Sequence, residues 1–201
     1  MSIRLPPHTR GLSIGLFGGS FNPPHEGHLL VAHTAIRRRK LDRIWWLVTP
    51  GNPLKEKQGL PEQAERMAAC RALIGRDPRI IVSGIEAAIG TSYTEQTIRF
   101  LRRRCPGVDF VWLMGADNLA SFHRWKNWRA IAGQVPIAVI DRPGSTLKAV
   151  SSRAARTFAA ARCREGEAAR LAGMHPPAWI FLHGRRSNAS STALRAGKAA
   201  F

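Results

Sequence analysis

At 201 residues with an ordinary apolar share, the chain is long enough for a real hydrophobic core, and no apolar run approaches the ~20 residues a membrane-spanning helix needs. Cys70, Cys105 and Cys163 are scattered and odd in number, which excludes a disulfide framework and a C-x-x-C metal motif. The charge is strongly positive, +18 from 31 Lys and Arg against 13 Asp and Glu.

In chain order, Pro6, Pro7 and His8 stand where an export signal would need an apolar stretch, so a reduced, cytoplasmic setting is expected. Ser13–Phe17 reads as a strand and His28–Lys40 as a helix with apolar Leu29, Leu30, Ala32, Ala35 and Ile36. Arg43–Thr49 is a strong strand closed by Pro50-Gly51, and Glu62–Ile74 is amphipathic. Arg79–Ser83 is a short strand, followed by a helix from Ser92 to about Arg104 capped by Ser92 or Thr94. Asp109–Met114 reads as a buried strand, Ala116–Phe122 and Trp128–Gly133 as short helices, and Pro136–Ile140 as a strand. Ser151–Arg164 reads as a helix, Ala178–Leu182 as the last strand and Ser191–Arg195 as a short final helix.

Strands that alternate with helices predict an α/β fold, a doubly wound, Rossmann-like parallel sheet with helices on both faces. Ligands of such sheets bind beyond the carboxyl ends of the strands, where the strand order reverses. One domain is expected over residues 1–201, with its core at about 12–196 and residues 1–10 as an N-terminal extension. Residues 145–175, rich in Ala and Arg, are expected to be mobile in part.

Chemistry concentrates in Gly18-Gly19-Ser20-Phe21-Asn22-Pro23-Pro24-His25-Glu26-Gly27-His28. A strand, a Gly-rich bend and a helix N-terminus bring free N–H groups and the positive end of a dipole to one point, which suits an anion. His25 and His28, three apart, share a face of the helix start. Their spacing is not that of H-E-x-x-H, which disfavours zinc, and the glycines lack the G-x-G-x-x-G spacing of a dinucleotide fingerprint.

This stretch resembles the H-x-G-H signature of the nucleotidylyltransferase superfamily. Its G-G-[ST]-F-[DN]-P-x-H-x-G-H form is similar to that of the bacterial nicotinate-nucleotide adenylyltransferases. Further matches follow in order: Thr49-Pro50-Gly51-Asn52-Pro53-Leu54-Lys55, Ser92-Tyr93-Thr94-Glu95-Gln96-Thr97, Gly115-Ala116-Asp117-Asn118-Leu119, Trp125, Arg142-Pro143-Gly144 and Ser190-Ser191-Thr192-Ala193-Leu194-Arg195. They span nearly the whole chain; Ala189 stands where the family usually has Ile.

The resemblance implies an adenylyltransferase that joins nicotinate mononucleotide to the AMP part of ATP, giving deamido-NAD and pyrophosphate in NAD biosynthesis. It implies His25 and His28 as catalytic donors to ATP phosphates. Gly18, Gly19, Ser20, Phe21, Gly115, Asp117, Ser190, Ser191, Thr192 and Arg195 would bind ATP, the last four as a second phosphate clamp. Lys55, Tyr93, Thr94, Trp125 and Arg142 would bind the mononucleotide, with Trp125 stacked on the pyridine ring and backbone N–H groups near Tyr93 and Thr94 on its carboxylate. Mg²⁺ is expected with ATP, held through phosphates and water rather than by a carboxylate cage.

Nicotinamide mononucleotide and phosphopantetheine remain the alternative second substrates. The basic excess reads first as a solvated Arg-rich surface, with Arg37-Arg38-Arg39-Lys40 and Arg102-Arg103-Arg104 near helix C-termini. A field that attracts small anions and a nucleic-acid-binding module are the other readings; nucleic acid is not the expected partner. Oligomeric state, a homo-oligomer included, stays open.

Overall fold

The structure is a computed structural model, and it describes residues 3–51, 60–142, 144–184, 191–195 and 197. Ser13–Gly19 forms β1, Glu26–Arg39 α1, Arg43–Val48 β2, Gln63–Ile74 α2, Ile80–Ser83 β3, Ile85–Ala88 α3 and Thr94–Arg104 α4. Asp109–Gly115 forms β4, Ala116–Ser121 α5, Trp128–Gln134 α6, Ile137–Ile140 β5, Thr146–Val150 α7, Arg153–Thr157 α8, Trp179–Leu182 β6 and Ser191–Arg195 α9. The six strands are all parallel, in the order β3-β2-β1-β4-β5-β6.

Strand side chains alternate between two cores, as the period of two requires. Leu16, Trp45, Trp112, Val139 and Phe181 face the layer that includes α4, α5, α6, α7 and α8. Phe17, Trp46, Leu113, Ile140 and Leu182 face α1, α2 and the 3-10 segment Glu165–Gly173. Burial on both faces explains why these strands read as near-continuous apolar runs. The order reverses between β1 and β4, so their carboxyl ends, Gly19 and Gly115, flank the crevice where such folds bind ligands.

Two expectations need correction. Residues 151–164 are not one helix: α7 and α8 are separate five-residue helices, followed by 3-10 turns at Ala159–Ala161 and Glu165–Gly173. Ser152 caps the start of α8, its hydroxyl accepting from the N–H of Ala155 at 3.2 Å, but the helix stops at Thr157 because Arg162 is drawn into a bridge with Trp179, to whose carbonyl the Cys163 N–H donates at 2.8 Å. In the Ala- and Arg-rich segment 145–175, Ala149, Ala154, Ala155, Ala168 and Leu171 are buried. The second correction concerns α4. Its N-cap is Tyr93, which has no side-chain capping bond; instead the Thr91 hydroxyl accepts from the Tyr93 N–H at 3.0 Å. α3 went unpredicted, because four residues are too few to carry a helical period.

The first described residues are tied to the fold. Ile3 and Leu5 pack against the core, and Arg43 donates to the carbonyl of Pro7 at 2.7 Å. Among the described residues no helix is long and apolar enough to cross a membrane.

Candidate active site

A cleft of about 530 Å³ opens at the carboxyl ends of β1 and β4. One wall is the bend from Gly18 to Phe21 and the first turn of α1. Gly18 is there because a Cβ would fall 2.6 Å from Cη2 of Trp112. Phe21 has a left-handed backbone, φ 47°, and its ring is buried, stacked on Trp46 at 4.9 Å. The bend is thus anchored in the core by the one side chain that points inward from it.

His25 is the N-cap of α1, and its Nδ1 accepts from the N–H of Gly27 at 3.1 Å. Nδ1 of His28 accepts from the N–H of His25, also at 3.1 Å. A backbone donor at each Nδ1 leaves Nε2 as the protonated nitrogen of the neutral ring. Burial, followed by the charge of Arg142, lowers the pKa of His25 to about 4. For His28 burial again comes first, then His25 and Arg142, and the value falls to about 3. Both rings, 3.9 Å apart between centroids, are therefore neutral Nε2–H donors at physiological pH.

The opposite wall begins at Gly115, the end of β4. A Cβ there would collide with the Asp117 carboxylate and lie 2.8 Å from Cδ of Arg142. Asp117 and Arg142 form an ion pair at 3.6 Å. The third wall carries Trp125, Tyr93 and Thr94. Trp125 packs edge-on against Trp112 and Phe122, at 6.1 and 5.4 Å between centroids, and also lines the cleft. Core packing and cleft exposure are joined in this side chain rather than exclusive.

The cleft thus brings together His25, His28, Gly18, Gly19, Ser20 and Phe21 with Gly115, Asp117, Tyr93, Thr94, Trp125, Arg142 and Ser191. Ser191 closes it from the C-terminal side, donating to the carbonyl of Pro23 at 2.9 Å. Arg195 is not among the residues lining the cleft; its guanidinium donates to the carbonyl of Asn22, behind the same loop. Lys55, Ser190 and the side chain of Thr192 lie outside the described residues.

Three further residues were not singled out from the sequence. Arg66, 3 % exposed, donates to the carbonyls of Ser20 at 2.7 Å, Thr49 at 2.9 Å and Pro61 at 2.9 Å. It pins the ends of the two loops that follow β1 and β2. Its one signal is its place four residues before buried Cys70, on the inward stripe of α2. Glu86, on unpredicted α3, lines the cleft and hydrogen-bonds Thr97 and Thr49. Burial pushes its carboxyl up to about 7. Lys126 lines the cleft beside Trp125, in a turn whose sequence carries no motif.

Fold and cleft together define a doubly wound α/β protein with its crevice where the strand order reverses. The cytidylyltransferase-like family model matches residues 16–197. A "Probable nicotinate-nucleotide adenylyltransferase" of Rhizobium meliloti (strain 1021) is 56% identical over 187 residues, 93% of this chain and 99% of that protein. One of the same name from Brucella suis biovar 1 (strain 1330) is 58% identical over 184 residues, 92% and 94% of the two chains. The structure of Plasmodium falciparum nicotinic acid mononucleotide adenylyltransferase complexed with NaAD superposes with a TM-score of 0.69, covering 92% of this chain and 83% of that one. At 16% identity that likeness is one of fold. The chain belongs to the cytidylyltransferase-like family and, within it, to the nicotinate-nucleotide adenylyltransferases.

Proposed function

We propose that this cleft transfers AMP from ATP to nicotinate mononucleotide, giving deamido-NAD and pyrophosphate. An oxygen of the mononucleotide 5′-phosphate attacks the α-phosphorus of ATP. The bond from that phosphorus to the α,β-bridging oxygen breaks, and pyrophosphate leaves with the electron pair. The attacking group is already an anion, so no protein base or nucleophile is required. The chain must hold two polyanions in line and stabilise negative charge as it spreads over the α-phosphate oxygens.

The observation that carries this reading is the paired histidine geometry. Each Nδ1 is occupied by a backbone N–H, so each Nε2–H is fixed as a donor before substrate arrives. Fixed neutral donors stabilise developing charge without reorganising. A pair titrating near neutrality would suggest proton transfer; these are held far below it. Arg142 adds a cation on the facing wall, and Asp117, which lines the cleft, would accept from ribose hydroxyls.

Among the described residues no group of three or more His, Cys, Asp or Glu could hold a metal ion. Mg²⁺ would arrive on the triphosphate, held through phosphate oxygens and water. When bound, Mg²⁺ supplies charge neutralisation at the leaving pyrophosphate. Trp125, with its plane set by Trp112 and Phe122, offers a face for the pyridine ring. Ser191 and Arg195 would steady the Asn22-Pro23 bend beneath the triphosphate. One domain, with its core at about 12–196, would carry the activity in the cytoplasm.

Incubation with Mg-ATP and nicotinate mononucleotide, with product separation by chromatography, tests this directly. Deamido-NAD and pyrophosphate in equal amounts are expected. Phosphopantetheine as the better acceptor would overturn it.

A further inference from the structure

Tyr93 N-caps α4, so the first N–H groups of that helix open at the corner that Tyr93 and Thr94 share with Trp125. Lys126 reaches the same corner from the other side. It follows Trp125 in a turn that ends at Asn127, left-handed at φ 54°, where α6 begins. The turn folds Lys126 back so that its Nζ lies 4.3 Å from the centroid of the Tyr93 ring. Among the described residues no carboxylate lies within ion-pair distance of that ammonium.

The charges nearby favour a positive corner. Glu95, in the first turn of α4, is paired with Arg99 at 3.2 Å and bonded to Gln134, and does not line the cleft. Glu86 lines it, but its buried carboxyl is tied to Thr97 and Thr49, and burial pushes its pKa up to about 7. Arg124 adds a second cation on the same wall.

We propose that Lys126 is a specificity-determining residue that makes the site prefer a pyridine carboxylate over the corresponding carboxamide. This rests on the adenylyl-transfer reading above. An ammonium group has three donors and no acceptor. It therefore rewards both oxygens of a carboxylate and offers nothing to the N–H₂ of an amide. Its attachment next to Trp125 limits how far it lies from a ring stacked on that indole. The cation–π contact with Tyr93 holds it there before substrate binds, which lowers the ordering cost of using a long, exposed side chain.

The test is kcat/KM for nicotinate mononucleotide and for nicotinamide mononucleotide, each with Mg-ATP, in the wild type, Lys126→Met and Lys126→Arg. Lys126→Met should lower the acid-to-amide ratio about tenfold, with most of the change on the acid, as expected for losing one charged hydrogen bond. Lys126→Arg should keep most of the preference. Equal losses on both substrates would overturn the proposal and place the ammonium on a phosphate instead; an unchanged ratio would overturn it too. Calorimetric binding of the two mononucleotides without ATP gives the ratio of their affinities, which Lys126→Met should lower in the same direction. A wild-type protein that makes no deamido-NAD would defeat the parent reading instead, a result distinct from either.

Discussion

The backbone N–H of His25 donates to Nδ1 of His28 at 3.1 Å, so the first histidine sets the tautomer of the second. Gly27 does the same for His25. The H-x-G-H spacing follows from this: an N-cap residue and the third residue of the helix it caps are the pair that can exchange such bonds. His28→Ala removes one fixed donor and should cut kcat by roughly 10²–10⁴. Circular dichroism should be unchanged, since the helix keeps its cap. A rate within a factor of a few of wild type would remove His28 from the chemistry.

The same histidines make stability pH-dependent. Their folded pKa values, about 4 and about 3, lie below the ordinary 6.5. Between these limits the unfolded chain binds more protons, so stability rises with pH across that window and is lost as pH falls from 6.5. Urea midpoints should therefore drop from pH 6.5 to 4.5, and the drop should be shallower in a His25→Asn, His28→Asn double variant.

Glu86 acts in the opposite direction. Its folded pKa of about 7 lies above the ordinary 4.5, so the folded state binds more protons in between. That contribution is full below 4.5 and is lost as pH rises through 7. Glu86→Gln should gain stability relative to wild type at pH 8 and little at pH 5, read as the shift in thermal midpoint at each pH.

Arg66→Met leaves the carbonyls of Ser20, Thr49 and Pro61 without their donor. A loss of about 2–5 kcal/mol in chemical unfolding is expected. Arg66→Lys, which cannot span three carbonyls, should fold and show a raised KM for ATP, because the Ser20 loop is no longer held from below.

Gly18→Ala drives a methyl into Trp112, whose edge packs on Trp125. Overpacking of this kind costs about 1–3 kcal/mol. The displaced Trp112 should shift Trp125, so KM for the mononucleotide should rise more than KM for ATP.

The parallel sheet was legible because strands such as Arg43–Val48 are apolar on both faces and are punctuated by Pro, Gly or capping residues. The long helix expected over 151–164 stopped at Thr157, because Arg162 and Cys163 pair with Trp179 of β6, a partner distant in sequence. Of the residues that the cleft gathers, those carried by motifs, such as His25 and His28, were legible in the sequence. Arg66 and Glu86 were not, since each acts through backbone or hydroxyl partners distant in sequence. Lys126 gains meaning only once the turn after Trp125 folds it onto Tyr93.

The most direct measurement is pyrophosphate release from Mg-ATP by the purified protein with nicotinate mononucleotide as the acceptor, followed in parallel with nicotinamide mononucleotide. The predicted result is stoichiometric deamido-NAD, with the acid as the better substrate and the activity largely lost in His28→Ala. Release that does not depend on the mononucleotide, or that survives His28→Ala undiminished, would contradict the account.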